Sequence, residues 1–174
     1  DSESSRRDIL RSYKLNPEAV YAIHLAAGPE FSPLDHRVSE SEIQAKFGFT
    51  GPYVLSVGVL QPRKNLSLLI EAFTQLNKTD LPHRLLLTGK LGWDADRLLR
   101  LLEEKGLAGR VLFTDYVSDS MLPVLYSGSE CVVYPSFYEG FGLPPLEAMA
   151  CGAPTFVSDA PCMPEVAGNG AKVL

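Results

Sequence analysis

The sequence predicts an α/β fold: a doubly wound, Rossmann-like parallel sheet with helices on both faces. Three observations carry this. Short, nearly all-apolar runs recur from Tyr53 onward, segments between them space their apolar residues three and four apart, and Gly or Pro stands at many junctions. Strands apolar on both faces are buried on both, as in a parallel sheet covered by crossover helices.

Each element follows in turn. Residues 53–57, 84–88, 111–114, 131–135 and 155–158 are the expected strands, and a sixth run starts at 171–174. Leu66, Leu69, Ile70, Phe73 and Leu76 line one helical stripe, and Leu98, Leu99 and Leu102 a second that ends before Gly106, a C-cap residue. A weaker helix is expected over 119–127, and a fourth over 146–150, opened by Pro144 and Pro145 and closed by Gly152. Residues 1–50 differ, with a helix over 5–13, an extended run over 20–25, a loop over 28–33 and a helix over 41–47. They are too short for a core of their own. The expected division is therefore 1–50 as the end of a preceding domain with its linker, and 51–174 as a ligand-binding domain cut short at its C-terminus.

Composition narrows the function. A formal net charge of -5 argues against a nucleic-acid partner, which calls for a basic face. Three scattered histidines and three cysteines (Cys131, Cys151, Cys162) without paired ligand spacing suggest no metal site and free or buried thiols. No apolar run reaches the roughly 20 residues of a membrane span. The polar start of the chain has no signal-peptide core, so a cytoplasmic location is expected.

In doubly wound sheets ligands bind beyond the carboxyl ends of the strands, so the loops there are where chemistry is sought. The first runs from Gly58 to Asn65, with Asn65 as expected N-cap of the following helix. Arg63 and Lys64 lie at the positive end of that helix, where cations are unfavourable unless an anion joins them. A solvated basic turn is the alternative. Only Gly58 of a G-x-G-x-x-G pattern is present, which disfavours NAD or FAD and leaves no expected cofactor.

The second loop is Tyr138-Glu139-Gly140-Phe141-Gly142-Leu143-Pro144-Pro145-Leu146-Glu147. Gly140 and Gly142 permit positive φ and close approach of N–H groups to a ligand, beside a helix N-terminus that favours negative charge. Glu139 and Glu147 would repel a phosphate, so they suit hydroxyls on either side of one, as a nucleoside diphosphate sugar presents. Either could instead be a surface or helix-end carboxylate. Lys90, after the second strand, could add charge near a phosphate or be solvated. The loop Tyr116–Asp119 could border a base through backbone groups such as those of Val117, with Asp119 also suited to cap a helix.

The run Pro62-Arg63-Lys64-Asn65-Leu66, followed by Leu69-Ile70-Glu71-Ala72-Phe73, resembles the family 4 retaining glycosyltransferases. So does the second loop, whose two glutamates with seven residues between them match that family's E-x7-E signature. The resemblance covers about 51–174 and is most like mannosyltransferases. It implies the C-terminal, donor-binding half of a GT-B fold, retention of anomeric configuration and no bound metal. Arg63 and Lys64 would hold the donor diphosphate and stabilise the leaving group. Glu139 would accept from donor-sugar hydroxyls, backbone N–H groups from Gly140 through Phe141, Gly142 and Leu143 would meet sugar and phosphate, and Glu147 would bind the ribose. Where relatives carry an arginine about five residues before the lysine, this chain has Val59, so either Arg63 does both jobs or the clamp is weaker.

The expected function is transfer of a hexose from GDP-mannose, or from a UDP-sugar, to a glycan or lipid-linked acceptor held by a missing N-terminal domain. Alone, the piece is expected to be inactive. A non-catalytic nucleotide-sugar-binding module and a sugar-nucleotide epimerase are the alternatives, the latter disfavoured by the intact E-x7-E run. The resemblance also carries peripheral association with the inner membrane face, for which no basic amphipathic helix speaks. Two conditions follow from this chemistry. The two turns must meet at one rim of the sheet, about an activated sugar apart, and neither acid should be shut in a closed internal ion pair.

Overall fold

Leu85, Leu86 and Leu87 are all fully buried, because helices cover both faces of the strand that holds them. The computed structural model describes residues 1–174 except Asn77, Asp94 and Ala108. Its strands are β1 (Tyr53–Val57), β2 (Arg84–Thr88), β3 (Val111–Asp115), β4 (Cys131–Tyr134), β5 (Thr155–Val157) and β6 (Lys172–Val173). All pair in parallel, in the order β3-β2-β1-β4-β5-β6. The six expected strands are therefore present, with ends moved by a residue or so. A register shift at Leu87/Thr88 pairs Thr88 with Asp115 and carries β3 one residue further than expected.

The helices are α1 (Glu3–Ser12), α2 (His36–Phe47), α3 (Leu66–Leu76), α4 (Ala95–Glu104), α5 (Leu122–Gly128), α6 (Leu143–Ala150) and α7 (Met163–Ala167). One face of the sheet packs Val54, Leu85 and Leu87 against Leu66, Leu69, Ile70 and Phe73 of α3 and Leu98 and Leu102 of α4. The other packs Leu55, Leu86 and Val132 against Ile43 of α2, Leu125 and Tyr126 of α5 and Ala148 of α6. Alternate strand residues feed opposite faces, as the two-residue period requires. Each fully buried side chain such as Ile70 or Phe73 contributes about 1.5–3 kcal/mol of transfer free energy.

Several expectations need correction. The helix expected over 119–127 is a 3-10 turn, Asp119–Met121, followed by α5. Pro123 stands in the first turn of α5, where its missing N–H costs nothing. The same tolerance lets α6 start at Leu143, ahead of both prolines. The helix expected from 41 begins at His36, with the Asp35 side chain accepting from the Arg37 N–H. Ile43 of α2 and Phe49 join the core around Tyr53, so the packing unit reaches back across the boundary drawn at residue 50.

From β1 the chain winds outward to β3, then crosses back to β4 and winds the other way. The switch lies between β1 and β4. The loops leaving these two strands part to opposite faces there, which opens a crevice.

Candidate functional site

Gly58 ends β1 with φ +139, and a Cβ there would lie 3.2 Å from Lys64 Cε. A 3-10 turn, Pro62–Lys64, then folds the basic pair back toward the sheet. Asn65 follows with φ 53, in the left-handed region, and its side chain makes no cap bond among the described residues. The turn closed by the Asn65 N–H on Pro62 O explains that departure from the expected N-cap.

After β4 the chain passes through Ser136 and Glu139 into α6. Gly142 has φ +109 and faces Met163 where a Cβ would sit. Gly140 is not in the positive-φ region, so only Gly142 bears out the conformational expectation for the pair. The backbone N–H groups of Gly140, Phe141 and Gly142 find no acceptor among the described residues. They stand at the N-terminus of α6, which adds its own positive end. The Phe141 ring is buried and lies 5.9 Å from the His24 ring, so this residue offers the crevice its backbone.

The two turns meet. Lys64 Nζ lies 2.7 Å from Glu139 Oε1, and Arg63 Nη1 lies 2.5 Å from Glu139 Oε2. The anion that the basic turn calls for is thus supplied within the chain. Lys64 also donates to the Tyr134 hydroxyl, which itself donates to Glu139 Oε1 at 3.2 Å. Lys64 and Glu139 are each 7% exposed, whereas the Arg63 side chain is 45% exposed. Contact replaces the expected gap of an activated sugar, and Glu139 does sit in an internal ion pair, against the second condition set above. The pair is open on the Arg63 side.

Electrostatics follow from this packing. Burial pulls the Lys64 ammonium below its ordinary range despite the carboxylate beside it. Burial opposes the charge on Glu139, but hydrogen bonds from Arg63 and Lys64 outweigh it and hold the carboxyl below the usual range. Burial first, then the nearby charges of Glu30 and Asp119, push the Glu147 carboxyl up, against a 2.9 Å hydrogen bond from the Tyr126 hydroxyl. Glu147 is half-buried in α6 and is not joined to the Arg63–Lys64–Glu139 cluster.

Lys90 is exposed, its ammonium 5.6 Å from the centre of the Tyr116 ring, and Val117 is buried. With Gly58 and Val59 they line a cavity of about 370 Å³ that also meets Asp119. Ser118, not Asp119, holds the N-cap position of the turn that follows, and it makes no side-chain cap bond. Sequence reasoning missed Tyr134 and Tyr126, whose hydroxyls touch the two glutamates. A tyrosine ending a buried strand was the one available signal for Tyr134. Cys162 is a free, buried thiol as expected, but its contact with the carbonyls of Glu139 and Phe141 was not foreseen, and burial pushes it up to about 11. No described helix is long and apolar enough to cross a membrane.

The chain is 36% identical over 174 residues to O-antigen chain mannosyltransferase B of Escherichia coli, covering 99% of this chain and 45% of that protein. It thus spans less than half the length of that relative. Sucrose-phosphate synthase from Thermosynechococcus elongatus superposes with a TM-score of 0.77 at 26% identity, over 98% of this chain and 43% of the other. Anabaena Alr3699/HepE in complex with UDP-glucose superposes with a TM-score of 0.86 at 22% identity, over 99% of this chain and 48% of that one. Residues 39–174 match the family described as glycosyl transferases group 1, and the chain belongs to that family.

Proposed function

We propose that this chain is the donor-binding part of a retaining glycosyltransferase that takes a hexose from a nucleoside diphosphate sugar, with GDP-mannose favoured, to a glycan or lipid-linked acceptor. One observation carries the reading: two cations and a row of backbone N–H groups with no acceptor among the described residues converge at the β1/β4 switch point. Fixed donors of this kind favour the charge that develops on a departing diphosphate.

The roles follow from exposure and charge. Arg63, the exposed member of the cluster, turns to the incoming diphosphate, which outcompetes a single carboxylate for a forked guanidinium. That frees Oε2 of Glu139 to accept from a sugar hydroxyl, while Lys64 stays within reach of the β-phosphate. The N–H groups of Gly140, Phe141, Gly142 and Leu143 meet sugar and phosphate, and Glu147 accepts from ribose hydroxyls. The base enters the cavity beside Gly58, Lys90 and Val117. Guanine presents two adjacent donors, N1–H and the N2 amine, which suit a carboxylate such as exposed Asp119 at that cavity. Uracil presents one donor between two acceptors. Mannose is supported by the mannosyltransferase relative, and a UDP-sugar by the ligand of the Anabaena structure.

The test is a thermal-shift and calorimetric screen of this chain against GDP-mannose, UDP-glucose and UDP-N-acetylglucosamine. Saturable binding of GDP-mannose, weakened at least tenfold by Lys64→Ala (~1.4 kcal/mol), is the expected result. Absence of binding to all three overturns the function, and binding unaffected by Lys64→Ala removes that residue from the site.

A further inference from the structure

Three consecutive carbonyls in the turn before α6 are tied to side chains outside the turn. The buried Cys162 thiol lies 3.0 Å from Glu139 O and 3.2 Å from Phe141 O. Between them, Gly140 O accepts from Ser2 Oγ at 2.7 Å and from Ser5 Oγ at 2.8 Å. Two hydroxyl donors fill both lone pairs of that one carbonyl. All peptides here are trans, so each carbonyl and the N–H of the next residue point in opposite directions. Holding Gly140 O against α1 therefore aims the Phe141 N–H away from α1, and this N–H has no acceptor among the described residues.

Helix α1 is itself fastened to the domain. Ser2 is fully buried, and its hydroxyl caps α1 by accepting from the Ser5 N–H at 3.0 Å. The carboxylate of Glu165 in α7 accepts from the Glu3 N–H at 2.7 Å and the Ser4 N–H at 3.3 Å, where a negative charge suits the helix dipole. Four sequence-distant hydrogen bonds thus fasten the start of α1: Ser2 and Ser5 to Gly140, and Glu3 and Ser4 to Glu165.

We propose that Ser2 and Ser5 are positioning residues for the donor: by clamping the Gly140 carbonyl they present the Phe141 N–H to the sugar-diphosphate end of the ligand, so that α1 completes a site otherwise built from 51–174. The proposal rests on the donor-binding function above. It makes donor affinity depend on a segment that touches no ligand atom. Any movement of α1 away from α7 would release the clamp and be felt in the donor site.

The test compares this chain with Ser2→Ala/Ser5→Ala in calorimetric titrations with GDP-mannose and with GMP, which lacks the β-phosphate and the sugar. Affinity for GDP-mannose is expected to fall about fivefold, as for one lost hydrogen bond, with GMP affinity unchanged. Ser2→Thr/Ser5→Thr, which keeps both hydroxyls, restores it. Ser5→Ala alone, which leaves the Ser2 cap in place, gives a smaller loss of the same pattern and guards against unfolding of α1. The orientation of the Phe141 N–H, read from residual dipolar couplings, is expected to change in the double Ala variant. Equal GDP-mannose affinity in both proteins, or an unchanged Phe141 N–H vector, overturns the proposal. A parent that binds neither ligand, with the vector still turned in the variant, overturns the donor-binding function and leaves the clamp itself standing.

Discussion

The Tyr134 hydroxyl donates to Glu139 Oε1 at 3.2 Å, the same oxygen that Lys64 Nζ approaches to 2.7 Å. A residue at the end of β4 thus holds together an acid and a base from two different loops. Tyr134→Phe removes an acceptor from a buried ammonium and a donor from a buried carboxylate. It is expected to cost about 1–3 kcal/mol of stability, read from urea unfolding, and to weaken donor binding. An unchanged unfolding midpoint would show that water replaces the hydroxyl.

Breaking the Lys64–Glu139 pair on one side leaves a buried charge. Lys64→Met is expected to destabilise the domain by about 3–5 kcal/mol, and Lys64→Met/Glu139→Leu to recover much of that loss without recovering donor binding. The double variant separates folding from function. If it binds donor as well as the parent, the cluster is structural only.

In an enzyme of the relatives' length, Lys64→Ala and Glu139→Ala are each expected to lower transfer at least tenfold, or ~1.4 kcal/mol of barrier. Steady-state kinetics check this. Unchanged kcat/KM with either substitution removes that residue from the site.

Glu139 titrates below the usual carboxylate range when folded, so the folded chain binds its proton less tightly than the unfolded one. Its contribution to stability is complete above an unfolded value of about 4.3 and is lost as pH falls through the lower folded value. Melting temperatures of the parent and Glu139→Gln are therefore expected to converge as pH falls below about 4.3. Parallel curves across that window contradict the ion pair.

Glu147 shows the opposite sign. Its folded value is raised, so the carboxylate is disfavoured at neutral pH by burial and by Glu30 and Asp119. Glu147→Gln keeps an acceptor for the Tyr126 hydroxyl and is expected to raise the melting temperature at pH 7 while weakening nucleotide binding. A site that holds an unfavourable charge for a ligand hydroxyl behaves in this way. A fall in melting temperature would instead assign the carboxylate a structural role.

Much of the fold was legible because burial on both faces of a strand leaves a pattern that needs no partner to be read. The runs at β1, β2 and β4, the α3 stripe and the two loops bearing Arg63, Lys64, Glu139 and Glu147 all came from local spacing. Local spacing also placed those loops at strand ends, and strand ends in a doubly wound sheet face one rim. It did not reveal that Glu139 reaches across 75 positions to Lys64, that Tyr134 sits between them, or that Ser2 holds Gly140 from 138 positions away. Those pairings exist only once β1 lies beside β4 and α1 lies against α7. Sequence determines which groups a chain carries and which element each rides on. Which groups neutralise one another is set by crossover connections that no periodicity records.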